Sequence, residues 1–303
     1  MHSILDYAIT GGAGFIGSHL AKLLVRQGHT VSIVDNLSAG NTANLAEIKD
    51  SIQFHKVDIC DLAQLKQVLA GKDGIFHHAA LTSVVESYKK EKEYYNVNVN
   101  GTKNVFDAAK ETGTKIVFAS SAGVYGNTDE IPTPESAKLN PVNPYGITKL
   151  EAEKLAQKYG KEFEIVGLRY YNVYGDNPAT SSAGVISRFY QNVIESKSPV
   201  IDGDGSQLRD FVFVDDITNA TCLAMEKKTG SVFINIGSGN AISILELANL
   251  FIKYSKKNLK PAFAKEPEGN VRASQADISL AKRLLGWKPQ NKLEVWIQDL
   301  FRK

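Results

Sequence analysis

One short segment of the sequence carries two side chains that could move a proton. In NPYGITKLEAEK, Tyr145 and Lys149 are four positions apart and share one face of any helix they occupy. Asn143 is a favoured N-cap and Pro144 a favoured first helical residue, which predicts that a helix begins here. The positive end of that helix and the Lys149 cation both favour phenolate over phenol. We therefore expect the pKa of Tyr145 to be lowered toward neutral pH, as suits a general acid and base.

A hydroxyl at the end of a predicted strand could act together with this pair. The apolar run KIVFASS ends at Ser121, just before the turn AGVYG. Open α/β sheets bind ligands at the carboxyl ends of their strands. We therefore expect the Ser121 hydroxyl to share a substrate oxygen with Tyr145, while the spacing by itself leaves a surface Tyr–Lys pair open.

A glycine-rich turn predicts a dinucleotide site. TGGAGFIGSHL follows the first strand-like run and opens a helix, and its glycines fit the spacings GxGxxG and GxxGxxG: Gly11, Gly12, Gly14 and Gly17. Such glycines allow a tight turn and let a pyrophosphate approach the helix N-terminus. Asp35 ends the second strand-like run, where a carboxylate accepts hydrogen bonds from ribose hydroxyls and repels a 2′-phosphate. NAD is therefore favoured over NADP.

The elements that must position these groups alternate between strand and helix. Six Val/Ile-rich runs precede residue 173 and are separated by amphipathic or polar segments: YAIT, TVSIVD, IQFHKVD, GIFHHAA, KIVFASS and EIVGLRYYN. This rhythm predicts an α/β fold with a doubly wound parallel Rossmann sheet and a smaller C-terminal substrate lobe. We expect the NAD-binding domain over residues 1–170, with a return at 211–238. The second lobe is expected over 171–303, mainly 171–210 and 239–303.

The composition argues against several other classes of protein. The 35 basic and 33 acidic residues give a formal charge of +2 with no basic stripe, so no nucleic-acid partner is expected. No apolar run approaches the roughly 20 residues that span a bilayer, and with six residues before the first strand-like run we expect no signal peptide. The sequence thus predicts a cytoplasmic protein without a membrane partner. Cys60 and Cys222 lack CxxC spacing, so we expect no metal site.

The motifs, taken in order, resemble a known family. TGGAGFIG, Asp35, HHAA, YYNVNVNGT, SSAGVYG, YGITK and RYYNVYG are similar to the extended short-chain dehydrogenase/reductase family, and within it to the nucleotide-sugar 4-epimerases. The resemblance covers the chain from about Ile4 to Pro289. It implies NAD as the cofactor, a UDP-sugar as the substrate and a homodimer formed by two helices per subunit, about residues 91–112 and 144–159.

The resemblance also implies a reaction and the residues that perform it. Tyr145 would take the proton of the sugar 4-hydroxyl while C4 passes hydride to NAD. The 4-keto sugar would then turn about its pyrophosphate and receive the hydride on its other face. Lys149 would lower the pKa of Tyr145 and hold the nicotinamide ribose, and Ser121 would hydrogen bond to the reacting oxygen. The second lobe should then hold the phosphates and the uridine.

Further site residues are expected on the same grounds. Cofactor contacts are expected for Gly11, Gly12, Gly14, Phe15, Ile16, Gly17, Asp35, Asn36, Asp58, Ile59, Ala79, Ala80, Asn98, Tyr145 and Lys149. Substrate contacts are expected for Ser83, Ser121, Tyr145, Asn172, Arg209, Asn270, Arg272 and Ser274. A structural role stays open for Asp58 as a helix cap, Asn98 as a loop-holding amide, Ser83 as a loop cap and Arg209 as an exposed salt-bridge partner.

One segment departs from the galactose-type pattern and bears on specificity. In PEGNVRASQAD, Pro267 replaces a phosphate-binding arginine and Asn270 an aspartate for the uridine ribose, so Arg272 is expected to take over the phosphate contact. Ser274 stands where strict glucose/galactose members carry a tyrosine beside the C2 substituent of the sugar. Because serine leaves more room, we expect N-acetylhexosamines to be accepted as well as plain hexoses.

Several related functions compete with the C4 epimerase. A dehydratase of this family carries an Asp–Glu pair where this chain has Ala122 and Gly123, which cannot transfer protons. A reductase usually prefers NADPH, which Asp35 opposes. A UDP-glucuronate 4-epimerase stays open, since it needs only one more polar contact at C6. A non-catalytic NAD-binding regulator would have no need of the tyrosine and lysine.

Overall fold

A computed structural model describes residues 3–175, 184–266, 269 and 271–302 of the chain. The predicted substrate residue Asn270 and the replaced position Pro267 lie outside the described residues. The chain divides into two compact units. The first unit comprises Met1–Gly126, Leu139–Arg169 and Thr218–Ile234, and the second comprises Asn127–Lys138, Tyr170–Ile217 and Asn235–Lys303. Residues 127–138 therefore group with the second unit, although they precede the predicted boundary.

The strands form one large sheet and two small ones. Their bounds are β1 (Asp6–Thr10), β2 (Thr30–Val34), β3 (Ile52–His55), β4 (Gly74–His77), β5 (Ile116–Ser121), β6 (Ile165–Tyr170), β7 (Asn172–Tyr174), β8 (Val200–Asp202), β9 (Leu208–Phe213), β10 (Val232–Ile236), β11 (Ala241–Ser243), β12 (Ala262–Ala264) and β13 (Ala273–Ser274). The large sheet has the order β10-β6-β5-β4-β1-β2-β3. The pairs β1–β2, β2–β3, β1–β4 and β4–β5 are parallel. This order confirms the predicted doubly wound α/β fold.

Helices connect most of these strands. Their bounds are α1 (Phe15–Arg26), α2 (Leu62–Leu69), α3 (Val84–Lys89), α4 (Glu91–Tyr95), α5 (Thr102–Lys110), α6 (Pro144–Tyr159), α7 (Val185–Ile194), α8 (Val214–Glu226), α9 (Ile244–Ser255), α10 (Ser279–Leu285) and α11 (Leu293–Leu300). A π-helical turn, Asn96–Gly101, joins α4 to α5, and Thr42–Ser51 and Ala122–Val124 form 3₁₀ turns. In the described ranges, no helix is long and apolar enough to cross a membrane.

The core of the first unit packs helices against the large sheet. Side chains of α2, α5 and α6 join those of the central strands in one buried cluster, which includes Leu65, Phe106, Phe118, Ala152 and Ile165. These strands are apolar on both faces because helices cover them, as is usual for parallel sheets. The packing fixes where each strand ends, and the functional groups follow those ends.

The strand order reverses between β1 and β4, which is where doubly wound sheets bind ligands. β1 pairs with β2 on one side and with β4 on the other. The chain leaves β1 at Gly11 and leaves β4 at His78. Both segments therefore lie at the carboxyl edge of the sheet, at the switch point.

The second unit is built on a small sheet centred on β9. β7 and β13 pair with β9 in parallel and β11 pairs with it antiparallel. Phe189 and Phe251 are fully buried in this unit, with their ring centroids 6.3 Å apart. Helix α9 begins with a capping box in which Ser243 and Glu246 satisfy each other's backbone N–H groups. The short strands bring predicted substrate residues close together, as described below.

Candidate active site

The predicted proton-transfer pair lies at the start of α6. The Asn143 side chain accepts a hydrogen bond from the Gly146 N–H at 2.8 Å and Pro144 is the first helical residue, so the predicted helix start is confirmed. Tyr145 therefore lies in the first turn and Lys149 one turn later. The Lys149 Nζ is buried, donates to the Ala119 carbonyl oxygen at 2.9 Å and lies 5.9 Å from the centroid of the Tyr145 ring.

Ser121 is the hydroxyl that joins Tyr145. It ends β5, and its Oγ accepts a hydrogen bond from the Gly123 N–H at 3.1 Å. The Ser121 side chain also lies close enough to Tyr145 to influence the Tyr145 phenol. A Cβ on Gly123 would lie 3.3 Å from the Ser121 Oγ and 3.8 Å from the Tyr145 ring. The fold thus brings Ser121, Tyr145 and Lys149 together at the carboxyl edge of the sheet.

The pKa of Tyr145 differs from the expectation. Burial raises the pKa of Tyr145, and the nearby Tyr94 adds to this effect, while the Ser121 side chain lowers it. The net direction is upward, so the expected lowering by the helix terminus and Lys149 is wrong for the protein alone. Burial also lowers the pKa of Lys149, to about 8, although the Glu153 carboxylate opposes this change.

The glycine turn is held by close backbone contacts. Gly11 has φ +69, and a Cβ on it would lie 2.6 Å from the Ala79 nitrogen. A Cβ on Gly17 would overlap the Gly11 carbonyl oxygen, and one on Gly12 would lie 2.7 Å from the Ile33 side chain. A Cβ on Gly14 would approach only the Gly11 oxygen, at 3.2 Å. The turn is therefore closed toward the sheet and open at Gly14, where α1 begins.

Asp35 lies beside this turn and is 7 % exposed. Its Oδ2 accepts from the Ala13 N–H at 3.0 Å and its Oδ1 from the Leu37 N–H at 2.8 Å. A Cβ on Gly40 would lie 2.9 Å from the same carboxylate. Each carboxylate oxygen has two lone pairs, so one acceptor site per oxygen remains for a ligand hydroxyl.

Asn36 and Asp58 form a small polar cluster next to Asp35. The Asn36 amide donates to the Asp58 Oδ2 at 2.8 Å, and the Cys60 N–H donates to Oδ1 at 2.8 Å. Burial alone would raise the pKa of Asp58, but the hydrogen bonds from Cys60 and Asn36 lower it below its usual value. Asp61, and not Asp58, caps α2, so the alternative that Asp58 is a helix cap is wrong.

Two other predicted residues hold loops in place. The buried Asn98 amide accepts from the Leu81 N–H at 2.8 Å and donates to the Leu81 carbonyl and the Thr148 hydroxyl at 2.9 and 3.0 Å. Asn98 therefore connects the loop after β4 to α6. Ser83 is the N-cap of α3, and the hydroxyl of the buried Tyr94 donates to its carbonyl at 2.8 Å. Both positions have the loop-holding role that was left open, and a ligand contact remains a separate expectation.

The remaining predicted cofactor residues surround the same sheet edge. Phe15 and Ile16 form the first turn of α1 and are half-buried. Ile59 is buried under the π-helical turn, where a Cβ on Gly101 would lie 2.6 Å from its Cδ1. Ala79 is half-buried next to Gly11, and Ala80 follows it. Small side chains at both positions keep the end of β4 open.

In the second unit, the small sheet gathers four predicted substrate residues. Arg209 of β9 is the register partner of Ser274, and Asn172 is the partner of Phe211 two residues further along β9. Arg272 precedes β13, and its backbone N–H donates to the Asn127 side chain at 2.9 Å. Asn270 lies outside the described residues.

Arg209 is half-buried, so the alternative of a fully exposed salt-bridging arginine does not describe it. Burial lowers the pKa of Arg209 to about 10, and the Glu266 charge opposes this effect. Its Nη1 donates to the Leu208 carbonyl oxygen at 2.8 Å. A partly desolvated guanidinium has much to gain from an anionic ligand.

Residues 7–237 match the NAD dependent epimerase/dehydratase family. This chain belongs to that family. It is 36% identical over 93% of its length to the UDP-glucose 4-epimerase of Mycolicibacterium smegmatis, covering 93% of that protein. It is similar in structure, with a TM-score of 0.92 and 32% identity, to the UDP-N-acetylglucosamine 4-epimerase of Methanobrevibacter ruminantium in complex with UDP-N-acetylmuramic acid; the match covers 99% of this chain and 98% of that one. The UDP-glucuronic acid 4-epimerase of Bacillus cereus, in complex with UDP-glucuronic acid and NAD, gives a TM-score of 0.91 with 32% identity over 98% of each chain.

The first unit fits the NAD that gives the family its name. Helix α1 has no side-chain cap, so its first N–H groups are free of capping side chains, and Gly14 leaves space in front of them. Anions bind well at such a terminus. Asp35 keeps free acceptor sites nearby. Among the described residues, no three His, Cys, Asp or Glu side chains are grouped to hold a metal ion.

The sequence analysis missed one buried charged pair in this family member, Glu153 and Arg169. Glu153 follows Lys149 by one helical turn, and Arg169 stands in the otherwise apolar strand EIVGLRYYN. A charged residue inside such a run needs a buried partner, and that signal could have pointed to the pair. The second unit holds a comparable buried carboxylate, Asp210, in the strand β9 (LRDFVF).

Proposed function

We propose that this chain is an NAD-dependent C4 epimerase of UDP-hexoses, acting on UDP-glucose and UDP-galactose and also on their N-acetylated counterparts. One observation carries the proposal: the side chains of Ser121 and Tyr145 lie together at the carboxyl edge of the sheet, with the buried Lys149 one turn further along the helix of Tyr145. Such an arrangement suits a group that removes and returns the proton of a sugar hydroxyl.

Each member of the site has a distinct task in the proposed reaction. Bound NAD supplies the hydride acceptor and donor for C4, and its cationic nicotinamide favours the phenolate of Tyr145 against the effect of burial. Tyr145 takes the proton of the 4-hydroxyl and later returns it. Ser121 donates a hydrogen bond to the same oxygen. Lys149 supplies positive charge next to the Tyr145 ring and is close enough to the sheet edge to bind a ribose hydroxyl.

The residues that would hold NAD lie around the switch point of the large sheet. The open N-terminus of α1, at Gly14, Phe15 and Ile16, would bind the pyrophosphate. Asp35 would accept hydrogen bonds from the adenosine ribose, which favours NAD over NADP. The cluster of Asn36 and Asp58 would lie on the adenine side.

The second unit would hold the nucleotide part of the substrate. Arg209 and Arg272 are proposed to bind the pyrophosphate, because guanidinium groups pair with phosphate oxygens through two N–H groups. Asn172 and Ser274 are proposed to contact the sugar. A small side chain at Ser274 supports acceptance of a C2 N-acetyl group, and relatives named for UDP-glucose and UDP-N-acetylglucosamine are both similar to this chain.

The second candidate function is a UDP-glucuronate 4-epimerase. It is supported by the similarity to the UDP-glucuronic acid 4-epimerase of Bacillus cereus. A dehydratase is disfavoured because Ala122 and Gly123 cannot transfer protons, and Gly123 lies so close to the Ser121 Oγ that a side chain there would crowd it. A non-catalytic regulator would leave the grouping of Ser121, Tyr145 and Lys149 without a task.

We also propose a homodimer that forms through the helices around residues 91–112 and 144–159. Val105 and Ala108 are buried inside the first unit, so they do not supply the interface. Tyr95 and Ile147 are 47% and 46% exposed and would supply it. A sedimentation mass equal to one chain would contradict this proposal.

The experiment separates three substrates and the role of Tyr145. Purified protein is incubated separately with UDP-galactose, UDP-N-acetylgalactosamine and UDP-galacturonate, and the products are resolved by chromatography. We expect conversion of the first two. The Tyr145→Phe variant should lose at least about a thousandfold in kcat while NAD and UDP binding, measured by calorimetry, stay unchanged. Equal conversion by the phenylalanine variant would contradict the proposal, and conversion of UDP-galacturonate alone would favour the second candidate.

A further inference from the structure

A buried ion pair lies in the first unit close to the proposed catalytic groups. Glu153 is 0 % exposed and Arg169 3 %. The Arg169 Nε donates to the Glu153 Oε1 at 2.9 Å, and its Nη2 donates to Oε2 at 2.7 Å. Two parallel hydrogen bonds of this kind fix the relative orientation of both side chains.

Further contacts of the pair reach the chain segments that carry the proposed site. The Ser120 hydroxyl donates to the Glu153 Oε1 at 2.5 Å, and Ser120 directly precedes Ser121. The Arg169 Nη1 donates to the Tyr125 hydroxyl at 2.8 Å, and Tyr125 follows the turn after Ser121. The Arg169 guanidinium also lies 5.0 Å from the centroid of the Tyr125 ring. The pair therefore connects α6 to both sides of the Ser121 turn.

Glu153 also acts on Lys149 through its charge. It lies one turn further along α6, and its carboxylate raises the pKa of Lys149 against the larger, opposite effect of burial. His77 at the end of β4 and the following His78 stay neutral because burial lowers the pKa of both imidazoles to about 3. On α4, Tyr94 acts on Tyr145.

Helices α3, α4 and α5 also pack against α6 and carry charged side chains, such as Glu86, Glu93 and Asp107, but Glu153 is the charge that shifts the pKa of Lys149. β5 and the 3₁₀ turn Ala122–Val124 carry no titratable side chain. Asn96–Gly101 likewise carries none. Burial alone would lower the pKa of Arg169, but Glu153 raises it above its usual range, so the guanidinium stays charged and offsets part of the carboxylate's field.

We propose that Glu153, held in place by Arg169, is a positioning residue that sets a negative charge one helical turn from Lys149 and fixes the Ser121 turn against α6. The catalytic meaning of this inference rests on the proposed function, whereas the effect on Lys149 does not. If Glu153 and Arg169 act on Lys149 through charge, removing Glu153 must lower the pKa of Lys149 and removing Arg169 must raise it. A role limited to packing would lower the stability in both variants without that opposition.

The experiment measures the titration of Lys149 directly. Protein labelled with ¹³C at the lysine Cε is titrated by NMR, and the Lys149 resonance is assigned by its absence in Lys149→Met. We expect Glu153→Gln to lower the midpoint by about one pH unit and Arg169→Gln to raise it by about half a unit. Glu151→Gln is the matched control, because Glu151 is on the same helix but its side chain is 33% exposed. It should leave the midpoint unchanged.

Two further variants keep the inference testable if a single substitution prevents folding. Glu153→Asp keeps the charge and should keep the midpoint close to that of the unmodified protein. The double variant Glu153→Gln/Arg169→Met leaves no unpaired buried charge, and its midpoint should fall because Glu153 acts on Lys149 more strongly than Arg169 does. A double variant that titrates like the unmodified protein would overturn the inference.

Activity measurements distinguish the inference from the proposed function. If the charged form of Lys149 is required, epimerisation falls as the pH rises through its pKa, so the alkaline limb of kcat should move to lower pH in Glu153→Gln. A shifted NMR midpoint without epimerisation of any UDP-sugar would contradict the proposed function and leave the action on Lys149 intact. Epimerisation with an unshifted midpoint in Glu153→Gln would support the proposed function and overturn the action of Glu153 on Lys149.

Discussion

Glu153 and Asp210, one fully buried carboxylate in each unit, are stabilised in different ways. In the first unit, Glu153 is paired with the charged Arg169. In the second unit, Asp210 is 0 % exposed and accepts four hydrogen bonds from neutral donors: the Ser238 N–H, the Ser238 hydroxyl, the Gly239 N–H and the Ala276 N–H. Burial raises the pKa of Asp210, and these hydrogen bonds oppose the rise. Glu153 thus relies on an opposite charge, and Asp210 on neutral donors of two loops.

The two units should also differ in the substitutions that they tolerate. Around the glycine turn of the first unit, backbone segments touch directly, so an added methyl group meets a main chain that cannot move aside. In the second unit, Asp210 connects the turn after β10 to the segment after β13, and Ser274 lies two residues before Ala276. The placement of Ser274 beside Arg209 therefore depends on hydrogen bonds. We expect a single substitution there to cost less stability than one in the glycine turn.

The largest expected effect breaks the backbone contacts of the first unit. In Gly17→Ala, the new Cβ would overlap the Gly11 carbonyl oxygen, and the turn must shift. We expect a loss of about 3 kcal/mol in the free energy of unfolding and at least a tenfold loss in NAD affinity. Chemical denaturation and calorimetry measure the two effects.

Gly14→Ala is the matched control for this variant. Its Cβ would approach only the Gly11 oxygen at 3.2 Å and would otherwise face open space. The stability should change by about 0.5 kcal/mol or less, while NAD affinity falls, because the methyl group stands in front of the α1 N-terminus. Equal losses of stability in Gly17→Ala and Gly14→Ala would show that the backbone is packed no more closely at Gly17 than at Gly14.

An intermediate effect is expected at Asp210. Asp210→Asn replaces a carboxylate oxygen that accepts two hydrogen bonds with an NH₂ group, so both bonds are lost and the NH₂ faces at least one N–H donor. We expect a loss of about 2–3 kcal/mol in the free energy of unfolding at neutral pH, measured by urea denaturation. Ser238→Ala, which removes one hydroxyl donor, should cost about 1 kcal/mol. An Asp210→Asn variant of unchanged stability would remove the contrast between the units.

The smallest expected effect concerns specificity. Ser274→Tyr adds a ring to a half-buried position beside Arg209. We expect kcat/KM for the UDP-N-acetylhexosamine to fall about tenfold relative to the plain UDP-hexose, which corresponds to about 1.4 kcal/mol. Ser274→Ala should leave the ratio unchanged. Unaltered N-acetyl activity in the tyrosine variant would count against the proposed role of Ser274.

The fold and the centre of the site follow from local sequence patterns. The alternation of apolar runs predicted the large sheet, and Asn143 with Pro144 predicted the start of α6, because both depend on neighbours in sequence. The upward direction of the Tyr145 pKa could not be predicted in this way. Desolvation depends on what packs around the ring, including Tyr94, which is distant in sequence.

The structure of the second unit was harder to predict from the sequence, because it also depends on contacts between residues that are distant in sequence. Its strands are two to six residues long, and three of them meet on β9 from separate parts of the chain. Asn127 contacts Arg272 across much of the sequence, and no spacing rule connects them. The assignment of residues 127–138 to this unit depends on such distant contacts. Glu153 and Arg169 were missed because their pairing spans two elements.

The strand order also constrains how the chain can be made. In the finished sheet, β6 lies between β5 and β10, and all six of its residues are buried. During synthesis, however, β10 leaves the ribosome long after β6. Until Ile236 has emerged, the nascent sheet ends in an apolar edge with unpaired backbone groups, which attracts other strands and chaperones alike. Truncations before Val232 should therefore yield aggregates and not a smaller soluble dinucleotide-binding fragment.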